Sequence, residues 1–226
     1  MPPLSLKAFK EALHSFPIGT GLGWDAVHPR ALLRLSDDDL RQWMALLIKC
    51  ERTGEWPGKV GVVIVVLLPK PDGGYRPIGL IPFLPRVWMR CRRQVCKAWE
   101  EQCGRDYLYA GAGKGSTVAA WKQAARAELA KAYGNDFAQA LLDLVKAFER
   151  IPYRVLLREA RELGYPLRLL KLAIRTYKLP RVVRVGEAVS DLAWATRGIV
   201  AGSGTATTEM RVTLVDNVDD AVRVYP

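Results

Sequence analysis

Residues 60–82, VGVVIVVLLPKPDGGYRPIGLIP, constrain the fold more than any other stretch of the chain. A run rich in Val and Ile reaches Pro69-Lys70, Pro71-Asp72-Gly73-Gly74 follows, and Tyr75 to Ile81 resumes an apolar segment. β-Branched side chains favour extended backbone, and a Pro/Asp/Gly cluster reverses its direction, so the stretch predicts a β-hairpin. Its tip presents two cations, Lys70 on one arm and Arg76 on the other. The longest apolar run, Val60 to Leu68, is strand-sized and far short of the roughly 20 residues that a membrane helix needs, so no membrane partner is expected.

Helical periodicity surrounds the hairpin. A helix is predicted from Ser36, with Asp37, Asp38 and Asp39 in its first turn and Leu40, Trp43, Met44, Leu47 and Ile48 on one face, ending at Thr53-Gly54-Glu55-Trp56-Pro57. Leu84 to Gln102 carries an apolar seam of Trp88, Cys91, Val95 and Trp99 and a separate acid-free seam of Arg86, Arg90, Arg93 and Lys97. Such a helix suits packing on one side and phosphates on the other. Further helices are expected over Val118 to Tyr133, Arg154 to Leu163, Leu167 to Tyr177 and Gly202 to Val222. A short buried strand is expected at Phe137 to Leu144, and two strands around Gly186-Glu187. Strands, hairpins and helices without a regular βαβ repeat make the fold class α+β.

The chain has 226 residues with 34 Lys and Arg against 23 Asp and Glu, a net charge of +11 that favours a polyanionic partner. No secretory signal is visible in the first thirty residues. Cys50, Cys91, Cys96 and Cys103 are irregularly spaced and include no CxxC pair, which argues against a zinc site and for reduced thiols. Ala110 to Thr117 resembles a phosphate loop superficially, but Gly115 separates Lys114 from Ser116 and no strand leads in, so a glycine turn opening a helix is the better reading.

Three separated segments carry the chemistry: the hairpin with LLPKPDGGYRPIGLIP, the segment LLDLVKAFERIP over residues 141–152, and Arg197 to Gly204, RGIVAGSG. In order and content they resemble the reverse transcriptases of non-LTR retrotransposons and group II introns, from about Gly19 to the last residue. The resemblance implies a right-hand polymerase: fingers over 1–135, including hairpin 60–82 and the basic helices, an incomplete palm over 136–226, and no thumb. It implies an RNA-directed DNA polymerase, in which a primer 3′-hydroxyl attacks the α-phosphate of a dNTP and two divalent cations (Mg2+ or Mn2+) neutralise the charge. Hard cations call for oxygen ligands at a rigid strand end. Asp143 occupies the place of the family's first metal-binding aspartate and is the catalytic candidate, with the backbone carbonyl of Leu144 as a further metal ligand. Phe148 matches the family's steric-gate aromatic, which excludes a ribose 2′-hydroxyl. Glu149 stands where retrotransposon enzymes usually have Asp.

Lys70 and Arg76 match the family's triphosphate clamp, an ammonium for a terminal phosphate and a planar guanidinium for two oxygens. Gly202 belongs to the loop beside the incoming nucleotide, where Ala201 replaces the family's frequent Gln. Arg86, Arg90, Arg93, Lys97 and Arg197 are the candidate nucleic-acid contacts. The expected partners are an RNA template, a DNA primer and dNTP; the expected location is intracellular, with the nucleus as the family's usual place of work. The family's second carboxylate pair, in a Tyr-x-Asp-Asp hairpin, has no good counterpart: Asp219-Asp220 falls within an expected helix. The chain therefore reads as a retroelement polymerase fragment, a nucleotidyltransferase by resemblance, that is catalytically incompetent by itself. The alternatives are a non-catalytic nucleic-acid-binding remnant, an RNA-directed RNA polymerase and a plain interaction protein.

Overall fold

The computed structural model describes residues 1–110, 114–139 and 144–224. The fold is α+β, with a four-stranded mixed sheet and helices around it. By its contacts the chain forms two compact units, one of residues 1–99 with 146–226 and a smaller one of residues 100–145.

In the larger unit, α1 (Leu6–His14) and a 3-10 helix (Pro29–Arg34) precede α2 (Asp37–Thr53). α2 begins as the sequence predicts: Ser36 Oγ accepts a hydrogen bond from Asp39 N at 3.2 Å, and three aspartates occupy the positive end of the helix dipole. Gly54, at φ +73°, ends it in the left-handed conformation that favours glycine. The hairpin follows, β1 (Val63–Pro69) antiparallel to β2 (Tyr75–Leu80), with Leu68 opposite Arg76. α3 (Phe83–Gln102) starts where Asp25 Oδ2 accepts from Phe83 N at 2.6 Å. After α5 (Ala147–Arg150), α6 (Tyr153–Glu162) and α7 (Leu167–Tyr177) come β3 (Arg181–Val185), β4 (Ala188–Val189) and α8 (Ala206–Val224). β3 runs parallel to β1, giving the sheet order β2-β1-β3-β4. β2 is therefore an edge strand.

The core is built mainly from helix side chains, with Val63 of β1 joining it: Phe9, Leu13, Leu40, Leu47, Val63, Ile81, Trp88, Leu156, Leu169, Leu170, Tyr177, Val212 and Val215 are buried. The α3 seam differs from expectation. Trp88 and Trp99 are buried as predicted, but Cys96 and Arg92 take the inner positions while Cys91 and Val95 are only half-covered. Arg92, 4% exposed, can sit inside because Glu51 meets it as a fork: Nε donates to Oε1, and Nη2 to Oε2 at 2.6 Å. Trp88 Nε1 also donates to Glu51 Oε1 at 2.7 Å, and Arg92 Nη1 to Pro2 O at 2.8 Å, so nearly every polar group of the pair is satisfied.

The smaller unit holds α4 (Ser116–Tyr133), closed by Gly134 at φ +66°. No residue of α4 is buried, and Trp121, Leu129 and Tyr133 are exposed. The strand expected at Phe137 to Leu144 is not formed by residues 137–139, which have no regular structure, and residues 140–143 lie outside the described residues. No helix among the described residues is long and apolar enough to cross a membrane. Cys50, Cys91, Cys96 and Cys103 form no disulfide among the described residues.

The Glu51–Arg92 pair makes a stability prediction. Glu51→Ala leaves a buried guanidinium without its counter-charge and is expected to cost about 3–5 kcal/mol in urea unfolding, whereas Glu51→Leu combined with Arg92→Met recovers most of the loss. A double variant no more stable than Glu51→Ala would assign the loss to packing instead.

Candidate nucleic-acid interface

At the hairpin tip Lys70 N donates to Gly74 O at 2.8 Å, continuing the β1–β2 ladder past Pro69. Lys70 is two residues beyond Leu68, the partner of Arg76, so the alternation of the pleat puts both cations on one face of the hairpin. Both are exposed. Ile78 lies on the same face, one pleat repeat or roughly 7 Å from Arg76.

The glycine loop ties this strand to the segment after residue 146. Gly198 N donates to Ile151 O and Ile199 N to Phe148 O, both at 2.8 Å, so the loop holds α5 by its backbone. Three residues later Gly79 N donates to Ala201 O at 2.7 Å, attaching the loop to the free edge of β2. Two glycines make this approach possible. At Gly198, φ +91°, a Cβ would stand 2.7 Å from Glu149 O; at Gly202, φ +110°, it would stand 2.6 Å from Gly79 O. A Cβ at Gly79 would collide with Val200 Cγ1. The hairpin, the glycine loop and residues 146–152 of the middle segment thus meet in the larger unit through main-chain hydrogen bonds, with the half-buried Phe148 and exposed Gly202 at the junction.

Beside the loop is a cavity of about 380 Å³ lined by Arg86, Arg90, Arg93, Phe16 and the loop glycines Gly202 and Gly204. The basic seam of α3 therefore faces the glycine loop. Arg86 is committed to structure: Nη1 donates to Gly21 O at 2.6 Å and Nη2 to Thr20 Oγ1 at 3.2 Å. Arg90 lies over the Phe16 ring, 4.5 Å from its centroid. Burial lowers the pKa of both guanidinium groups, and the neighbouring positive charge of Arg93 adds to the effect at Arg90. Lys97 is exposed farther along α3 and does not line the cavity, and Arg197 is exposed at the entry to the loop. Asp143, the expected catalytic and metal-binding residue, lies outside the described residues; Leu144 is exposed in the smaller unit. Asp219 and Asp220 lie on α8, where Asp220 pairs with Arg223 at 3.1 Å.

Several residues of this region had no motif to announce them. Phe16 and Thr20 belong to the stretch before the first predicted helix, and Asp25 anchors the start of the arginine-bearing helix. Glu209 is fully buried next to the loop: Tyr177 Oη donates to its Oε2 at 2.5 Å, and the Ser203 and Thr205 hydroxyls lie 2.8 and 3.2 Å from the same phenol oxygen. Burial pushes the Glu209 carboxyl up to about 8, against the lowering effect of the Tyr177 and Thr205 hydroxyls, so the neutral form predominates at pH 7. Its Oε1 is buried without a hydrogen-bond partner among the described residues. A separate acidic group, Glu159 and Glu162 of α6 with Asp216 of α8, brings three carboxylates within 4.8 Å of one another and could hold a cation. Arg158 already donates to Glu159 Oε1, and burial with the Glu159 contact raises Asp216.

Two measurements check this arrangement. Gly198→Ala is expected to destabilise the fold by roughly 2–4 kcal/mol, because a left-handed backbone and a collision with the Glu149 carbonyl act together. Glu209, ionised in the unfolded chain above pH 4.5 but neutral in the fold up to about 8, should make stability fall as pH rises through that interval. Glu209→Gln keeps the acceptor for Tyr177 and should flatten that limb of the pH–stability curve; an unchanged slope would assign it to other groups. Compared with protein-family models and with curated proteins, the chain matches none.

Proposed function

We propose that this chain is the fingers (1–135) and partial palm (136–226) of an RNA-directed DNA polymerase of the non-LTR retrotransposon and group II intron type. One observation supports the reading most: the hairpin, the glycine loop and residues 146–152 of the middle segment, far apart in sequence, are joined by main-chain hydrogen bonds at Gly79, Phe148 and Ile151 beside an arginine-lined cavity. In this reading Lys70 and Arg76 grip the triphosphate of a dNTP, Phe148 packs beneath its sugar, and Gly202 lets the backbone approach the nucleotide closely. Asp143, with the backbone carbonyl of Leu144, is the place for Mg2+ or Mn2+, which when bound neutralises phosphate charge as the 3′-hydroxyl attacks. Arg86, Arg90, Arg93, Lys97 and Arg197 serve the RNA template and DNA primer, and the setting is intracellular, on nuclear DNA. The reading carries a single metal-binding aspartate, so the alternative of a non-catalytic nucleic-acid-binding remnant shares every feature except chemistry.

Binding and chemistry are tested separately. The chain is expected to bind an RNA–DNA duplex with log affinity falling steeply against log salt. Lys70→Ala with Arg76→Ala should weaken dTTP binding about tenfold or more while leaving duplex binding in place. A folded chain that binds neither duplex nor dTTP at moderate salt overturns the proposal. Primer extension with RNA template, dNTPs and Mg2+ is expected to give no product from this chain; extension abolished by Asp143→Ala and also by Asp219→Ala would restore the second carboxylate pair to Asp219-Asp220.

A further inference from the structure

We propose that the cavity between α3, Phe16 and the glycine loop is a preformed binding site for a phosphate group, in which Arg90 is the ligand-holding residue and Arg86 a positioning residue. Only the source of the phosphate, a nucleic-acid strand, rests on the polymerase reading. The two arginines differ in what they already hold. Arg86 spends its guanidinium on Gly21 O and Thr20 Oγ1, fixing the chain that forms one wall. Arg90 is half-buried, and neither it nor Arg93 has a carboxylate or hydrogen-bond partner among the described residues. Among the described residues, no acidic side chain lines the cavity.

A cation–π contact uses no hydrogen-bond acceptor, so it leaves the guanidinium N–H donors for a ligand. The Arg90 carbon lies over the Phe16 ring, 4.5 Å from its centroid, and the same ring has Arg86 at 5.6 Å. Arg90 stays cationic, because arginine does not deprotonate in proteins. Its positive charge is partly removed from water and set beside Arg93, an electrostatic cost that an entering anion relieves. Part of the lining is glycine, Gly202 and Gly204, which presents backbone rather than side chain to a ligand. A volume of about 380 Å³ exceeds one phosphate ion and suits a phosphate with its attached sugar. The chemistry therefore points to a phosphoester, from a strand backbone or from a free nucleotide.

The test compares folded wild type, Arg90→Gln and Arg90→Lys by anisotropy with short single-stranded RNA and by titration with dTTP, each over a salt series. For a strand phosphate, Arg90→Gln should weaken RNA binding about tenfold and lower the salt slope by about one, with dTTP binding unchanged. Arg90→Lys should restore the slope without the full affinity, because an ammonium lacks the planar fork. Loss confined to dTTP would assign the pocket to the free nucleotide. If wild type binds neither ligand, the polymerase reading fails, and the pocket is then judged by whether inorganic phosphate raises the melting temperature of wild type and not of Arg90→Gln. Should Arg90→Gln fail to fold, Arg93→Gln at the exposed end of the cavity takes its place in the same titrations. A folded variant with unaltered affinity, slope and phosphate response overturns the proposal.

Discussion

The organisation of the larger unit depends on one loop running close to two other backbones. Gly198 lies against the Glu149 carbonyl and Gly202 against the Gly79 carbonyl, and the hydrogen bonds at Ile199, Gly198 and Gly79 convert that proximity into a fixed junction. Side chains could not build it, because at each crossing there is no room for a Cβ. Everything proposed about nucleotide and strand binding inherits its geometry from these crossings: the edge of β2 that carries Arg76, the segment that carries Phe148, and the glycines that line the arginine-bearing cavity.

Around the junction the fold uses buried polar groups in two different ways. Glu51 and Arg92 neutralise each other inside the α2–α3 packing, so their cost of desolvation is met by a fork of hydrogen bonds. Glu209 has no ion-pair partner among the described residues and is instead held protonated by burial, with the Tyr177 hydroxyl donating to it and Ser203 and Thr205 gathered around that phenol oxygen. The first device joins α2 to α3 through opposite charges, and the second places an uncharged, pH-responsive group at the start of α8.

Much of the architecture was legible from local rules. Ser36 and Gly54 delimit α2 as capping chemistry dictates, the Pro71-Asp72-Gly73-Gly74 turn sets the hairpin, and α7 spans the predicted Leu167 to Tyr177. The misreadings share a cause, since each needed tertiary knowledge. The burial of Arg92 on α3 has no signal in its own helix, because it depends on Glu51, 41 residues earlier in sequence. Cys91 and Val95 fit the apolar stripe by period, yet neighbours cover Cys96 more fully. The helix drawn from Gly202 begins at Ala206, because Gly202 is held at φ +110° against β2 and Ser203 N turns back to Val200 O. The basic seam of α3 was visible as a pattern, but the division of labour between Arg86 and Arg90 was not, because it depends on Thr20 and Phe16, which no periodicity singles out.

The parallel pairing of β1 with β3 has a bearing on how the chain reaches this state. Val63 to Val66 pair with Arg181 to Arg184, so the strand at the middle of the sheet meets its second neighbour only after more than half of the chain has been made. Contacts so distant in sequence are closed late and slowly. Until then the β1–β2 hairpin presents a Val- and Ile-rich edge with unpaired main-chain groups to other nascent chains. The interval between the synthesis of β1 and that of β3 is the period in which this protein is most exposed to aggregation.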